Sequence, residues 1–198
     1  MSILSGARTV VRPLSPEHYE TLRRAELTPM LGTVRFGGAT PSPADHVRSL
    51  WTGVLLQSTA HDPASDELQA LLTCYDADLR NGHAWIAIQA GPTAIGNGIA
   101  FAGLALFVTD LFAEWRFRHL YAETSTSSFE RFRSGEGQLF DVEGTLRDHH
   151  LRGSATSDKH LLRIRRDRWM ESIGAIVARR RAALERQPRA LPRPDHGT

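Results

Sequence analysis

The stretch AIGNGIAFAGLALF, Ala94–Phe107, sets Gly96 and Gly98 one residue apart at the mouth of an apolar run. The first amides of a helix have no partner within it and carry partial positive charge, and glycine lets such a backbone approach an anion closely. The spacing therefore suits a phosphate cradle, and it equally suits a tight turn into a buried helix. A dinucleotide reading fails, because the later glycine is misplaced and the alternating strand-helix pattern is missing. Asp148, His149, His150 and His160 are metal-ligating residue types, but strand alternation sends His149 and His150 to opposite faces, so no metal is expected. Cys74, the single cysteine, sits in the apolar stretch ALLTCY; it forbids an internal disulfide and reads as a buried residue. No HExxH helix, CxxC pair, Walker loop or nucleophile elbow occurs in the sequence.

The elements that must position these residues follow from pattern and punctuation. ARTVVRPLS reads as a first strand, and SPEHYETLRRAEL as a helix with Ser15 as N-cap and Pro16 at its first position. TPMLGTVRFGGATPSP is a long Gly/Pro/Thr loop, and SPADHVRSLW a second helix. TGVLLQSTAHD, ELQALLTCYDAD and HAWIAIQA predict an antiparallel meander with a tight turn at Asn81-Gly82. GLALFVTDLFAEW is apolar nearly all round until Asp110, the signature of a helix buried on most sides. HLYAETS, arriving straight after it, predicts a strand entered by a right-handed parallel crossover. SSFERFRS reads as a short helix, LFDVEGTLRDHHLRG and DKHLLRIRR as a strand pair, and DRWMESIGAIVARRRAALER as a closing helix.

At 198 residues the chain is expected to be one domain, residues 1–186, followed by a loose Pro/Arg-rich tail, 187–198. No apolar run is long enough to cross a bilayer and no secretory signal is visible, so a cytoplasmic location away from membranes is expected. From Lys159 onward there are eleven Lys and Arg against four acids, while the preceding part holds thirteen against eighteen. An acidic body thus carries a basic end, which suits either a polyanion or a solvated helix face.

The order of these elements, with VVRPLSPEHYETL, PTAIGNGIAFAGLALFVTDLFAEWRFRHLYAE and LFDVEGTLRDHHL, resembles the GCN5-related N-acetyltransferase superfamily over about residues 8–171. Within it the chain is most similar to the branch that acetylates ribosomal-protein N-termini. LFDVEGTLRDHHL looks like that branch's GF-x-x-EG-x-LRDH run, with Glu143, Gly144, Leu146, Arg147, Asp148 and His149 in matching places. The resemblance implies an α/β (α+β) fold with a mixed, mostly antiparallel sheet splayed between its fourth and fifth strands and flanked by helices. It further implies acetyl-CoA or another acyl-CoA as cosubstrate. Its pantetheine arm would pair with Ile88, Gln89 and Ala90, and its pyrophosphate would rest on the frame Ile95, Gly96, Asn97, Gly98, Ile99 and Ala100.

The sequence departs from that pattern at several positions. Ile95 stands where the family has Gln or Arg, and no Lys or Arg occurs from Ala90 to Gly103. The family's general-acid tyrosine position falls near Gly135, leaving the hydroxyls of Ser125, Ser127 and Ser128 as substitutes. Trp85 replaces a fourth-strand carboxylate, leaving His83, Glu123 and His149 as candidate bases. The first expectation is acyl transfer to the amine of a small molecule, the loop from Thr28 to Pro43 lining the acceptor side. Alternatives are a donor carried on an aminoacyl-tRNA or carrier protein docked on the basic end, and a decayed, non-catalytic binding module. A homodimer is compatible with each.

Overall fold

Seven strands form one sheet in the order β1-β2-β3-β4-β5-β7-β6. The computed structural model describes residues 9–26, 41–91, 98–152 and 155–185. β2 (Val54–His61), β3 (Leu68–Asp78) and β4 (His83–Ala90) form the expected antiparallel meander, and β1 (Val10–Pro13) adds to it antiparallel beside β2. The β3–β4 turn forms because the Asp78 carboxylate accepts from the Asn81 amide at 2.8 Å and Gly82 takes φ +71, a conformation open to glycine. β5 (His119–Ser125) runs parallel to β4, and β7 (Ala155–Arg165) lies between β5 and β6 (Asp141–Arg152), antiparallel to both.

Helices cover the two faces unequally. α1 (Tyr19–Glu26) and α2 (Pro43–Trp51) close a small cluster of Leu14, Leu22, Leu50 and Leu71 on one face. α2 starts as its Ser-Pro signal predicts, with the Ser42 hydroxyl accepting from the Asp45 amide at 3.2 Å. α3 (Ile99–Glu114) lies on the other face and buries residues all around its circumference, among them Ala102, Ala105, Val108, Leu111 and Phe112. These join Ala60, Leu72, Ala84, Ile86, Leu120 and Ile164 of the sheet in the main core. Cys74 belongs to this core, and burial pushes its thiol up to about 12, so it stays a protonated, inert filler.

Four expectations are corrected. Ser15 does not cap a backbone amide: its hydroxyl donates to Glu17 at 2.8 Å and meets His18 Nδ1 at 3.0 Å, and a 3₁₀ turn, Pro16–His18, precedes α1. The short helix after β5 shrinks to α4 (Thr126–Phe129) plus a 3₁₀ turn, Arg133–Gly135, because Arg131, Phe132 and Gly135 take carbonyls three residues back rather than four. The closing helix is interrupted: α5 (Arg166–Trp169) and α6 (Ala175–Glu185) are joined by a π turn, Met170–Gly174, where Ser172 Oγ donates to the Arg168 carbonyl at 2.8 Å. His149 and His150 are not sent apart, since Asp148 at φ +51 creates a bulge that brings their ring centroids to 5.6 Å. The expected acceptor loop, residues 28–43, lies largely outside the described residues, and the tail wholly so.

β6 is pinned beside β7 through Asp141, which accepts from Arg168 at 2.7 Å and Arg163 at 3.3 Å. Partial burial acts to raise its pKa, but the two arginines outweigh it and hold the carboxyl below 3.8. A depressed folded pKa stabilises above the unfolded value and is lost as pH falls through the folded one. Asp141→Asn should therefore cost about 1–2 kcal/mol at neutral pH. Urea titrations should show the gap between variant and parent closing as the solution is acidified below 3.8; a gap that persists in acid would assign the loss to packing instead.

Candidate active site

β4 and β5 pair at only three positions, His83–His119, Ala84–Leu120 and Trp85–Tyr121. Beyond Trp85 the strands part: β4 continues to Ala90 paired with β3, and β5 continues to Ser125 paired with β7. The sheet is thus split on one side of this seam. The base of the split is an aromatic pair, Trp85 and Tyr121, with ring centroids 5.5 Å apart. The same row runs Tyr75, Trp85, Tyr121, Arg163, Asp141 across five strands. One row further, Ala87 and Glu123 hold the equivalent places on the two lips.

On the β4 lip, Ile88 is 40% exposed although it sits in the middle of a seven-stranded sheet. That is a large apolar side chain facing solvent at the split, with Gln89 and Ala90 half-buried beside it. Above this lip begins α3. Its N-cap is Gly98 at φ +74, ψ −6, and the Ala102 amide donates to the Gly98 carbonyl at 2.9 Å. The amides of Ala100 and Phe101 have no helical residue four positions behind them, which leaves them oriented out of the helix start. Ala100 is buried in the main core and Ala90 packs against that core, so the helix start and the end of β4 share it. Ile95, Gly96 and Asn97 lie outside the described residues.

The β5 lip carries Glu123, held by Lys159 Nζ at 2.8 Å, and ends in a hydroxyl cluster in which Ser125 Oγ lies 3.2 Å from Ser127 Oγ and 3.4 Å from Ser128 Oγ. α4 is anchored beneath by Phe129, whose ring packs on His160 at 4.6 Å, while Thr126 and Thr145 hydroxyls meet the two nitrogens of that histidine at 3.2 and 3.1 Å. His160 is thus a structural post, and Ser127 and Ser128 stay exposed above it. His83 is placed elsewhere. It lies at the closed end of the seam, with Nε2 3.7 Å from Asp78 and its ring 5.8 Å from Tyr121. His149 is exposed on the bulged stretch of β6, two strands from β5.

Next to the split, α2 and the sheet enclose a cavity of about 230 Å³. Its polar wall is Ser49, Thr52, Gln57, Thr73, Tyr75 and Gln89, and no charged side chain lines it among the described residues. Gln57 is 2% exposed; its amide nitrogen donates to the Leu50 carbonyl, and its Oε1 is buried without a partner. Burial, followed by the negative charges of Glu123 and Asp76, pushes the Tyr75 hydroxyl up to about 12. Glu123 therefore acts electrostatically on a residue that lines this cavity, although the two come from opposite sides of the seam. Tyr75, Gln57 and Tyr121 were not among the residues singled out from sequence. Strand alternation places Tyr121 on the face of Glu123, but only the register brings Tyr75 to them.

A sheet split after its fourth strand, with a glycine-capped helix entering at the split, is the fold of the GCN5-related N-acetyltransferases. Among solved structures the chain is similar to spermidine N-acetyltransferase from Vibrio cholerae in complex with CoA and spermine, with a TM-score of 0.68 at 14% identity, covering 82% of this chain and 98% of that one. The same bacterial enzyme in complex with manganese ions aligns with a TM-score of 0.66 at 14% identity, over 83% and 96% of the two chains. No family model matches the sequence, and no curated protein matches it. Among the described residues no three His, Cys, Asp or Glu side chains are grouped to hold a metal ion, and no helix is long and apolar enough to cross a membrane.

Proposed function

We propose that this protein transfers an acyl group from an acyl-coenzyme A to the amine of a small molecule. The observation that carries this is the split between β4 and β5 beyond Trp85–Tyr121, with the start of α3 above it. The features fit a thioester carrier: an open strand lip for an amide-bearing arm, the exposed Ile88 for its alkyl portion, and α3 amides beyond a left-handed Gly98 for its pyrophosphate. Ile88, Gln89 and Ala90 would hold the arm, and Gly98, Ile99 and Ala100 the phosphates.

The amine nitrogen forms its bond to the thioester carbonyl carbon, the carbon–sulfur bond breaks, one proton leaves the nitrogen and one is returned to the thiolate. In this reading the amine enters the cavity beside the split, and Glu123 takes the proton from the nitrogen, because the register sets it across the split from Ala87 in that cavity's wall. Ser127 or Ser128, at the end of the same lip, supplies the proton to sulfur. His83 lies at the paired end of the seam, with its ring against Tyr121, and takes no part in the transfer. The neutral wall of hydroxyls and amides favours a hydroxyl- or amide-bearing amine over a polycation, which would need carboxylates.

Calorimetry with acetyl-CoA at low salt should give one saturable site, and no heat at millimolar ligand would remove the reading. Glu123→Gln should lower kcat by about 10²–10³-fold with the acetyl-CoA affinity unchanged. Equal turnover in parent and variant would remove Glu123 as the base while leaving the donor intact.

A further inference from the structure

We infer that the cleft at the other end of the sheet binds a small phosphorylated anion. Two arginine-rich stretches, WRFRH at 115–119 and RIRRDRW at 163–169, meet where β7 ends and β5 begins. There the Arg166 amide donates to the Arg118 carbonyl at 3.0 Å. The cleft they form holds about 700 Å³, and Arg118, Arg163, Arg165 and Arg166 surround it with His119. This volume is that of a small-molecule site rather than of a long nucleic-acid track.

The four arginines are not equivalent. Arg165 is neutralised by Asp167, and Arg163 faces Asp141 at 3.3 Å and Glu143 at 3.1 Å. Arg118 instead donates through Nε and a terminal nitrogen to the Asn81 carbonyl, at 3.2 and 2.8 Å. Arg166 donates to the carbonyls of Trp115 at 2.8 Å and Phe117 at 3.4 Å. Neither has a carboxylate partner among the described residues, so both keep a full charge while main-chain oxygens fix their orientation. Ordering long side chains is a major cost of anion recognition, and here it is met within the fold.

Two unneutralised guanidiniums match the charge of one phosphate group, close to a dianion at neutral pH. The acids on the wall are Asp167, already paired with Arg165, and Glu171 on the π turn. The field reaches His119: burial first, then Arg163, Arg118 and Arg165 hold its pKa below 6.5, with Glu143 opposing. This site is separate from the acyl-transfer reading and stands or falls without it.

The test is a titration of the full chain with inorganic pyrophosphate, followed through the His119 imidazole resonances. Saturable binding with an upward shift of the His119 pKa is expected, since an anion cancels part of the arginine field; an anion at the start of α3 would leave His119 unmoved. Arg118→Gln should weaken binding at least about tenfold, and Arg118→Lys should restore part of it. His119 unmoved at millimolar pyrophosphate in the parent chain would overturn the proposal, as would equal affinity in parent and Arg118→Gln. Salt-sensitive binding of tRNA without any of pyrophosphate would replace it with a nucleic-acid surface.

Discussion

Gly103→Ala should destabilise the fold by about 2 kcal/mol, the overpacking cost exceeding the gain in helix propensity. A Cβ built on Gly103 falls 2.6 Å from the Cβ of Ala60, which is fully buried on β2. Real methyl groups do not approach so closely, so α3 must lift from the sheet by roughly 1 Å and loosen the apolar neighbours on its sheet-facing side. Helix propensity alone would favour alanine by up to about 1 kcal/mol, which makes the predicted sign a discriminating one. Thermal unfolding should show a fall of about 4–8 °C. The double variant Gly103→Ala with Ala60→Gly removes the opposing methyl and should recover most of the loss. An unchanged midpoint in the single variant would mean that the helix start tolerates displacement.

Gly98→Val should weaken acetyl-CoA binding about 100-fold, near 2.7 kcal/mol. Two effects add. Valine at φ +74 is a strained residue, so the cap rearranges, and its branched Cβ stands at the mouth from which the Ala100 and Phe101 amides emerge. Gly98→Ala should lie between parent and valine. Calorimetry on variants checked for native circular dichroism decides the matter. Wild-type affinity in Gly98→Val would exclude the start of α3 as the phosphate cradle.

Much of the fold was legible because local signals agreed. Ser42-Pro43 opened α2, Asp78 to Gly82 made the β3–β4 turn, and the all-round apolar composition of α3 matched its burial. What was illegible came from register. Nothing local says that β7 enters between β5 and β6, or that pairing between β4 and β5 stops at Trp85. The bulge at Asp148 depends on a left-handed aspartate, which the sequence permits without requiring. The candidate site divides in the same way. Gly98 announces itself by type and position, whereas Gln57 and Tyr75 read as ordinary strand residues until α2 and β4 enclose them. His83 drew attention by its titratable ring, but its place at the paired end of β4 is a property of the strand's direction.

The three-position seam has a mechanical meaning. To one side, β1 to β4 are bonded along their lengths and backed by α3; to the other, β5 is bonded to β7 along its length, and β7 to β6 on either side of the bulge at Asp148. Two plates therefore share a short row of main-chain rungs, and behind it α3 is tied to the far plate's closing helices by the Trp169 indole donating to Thr109 at 3.1 Å and by the Arg181–Asp110 ion pair at 2.8 Å. The width of the split at its outer end is thereby fixed by the angle the plates make at Trp85 and Tyr121, since any rotation about that row displaces the tips most, as in a pair of tongs.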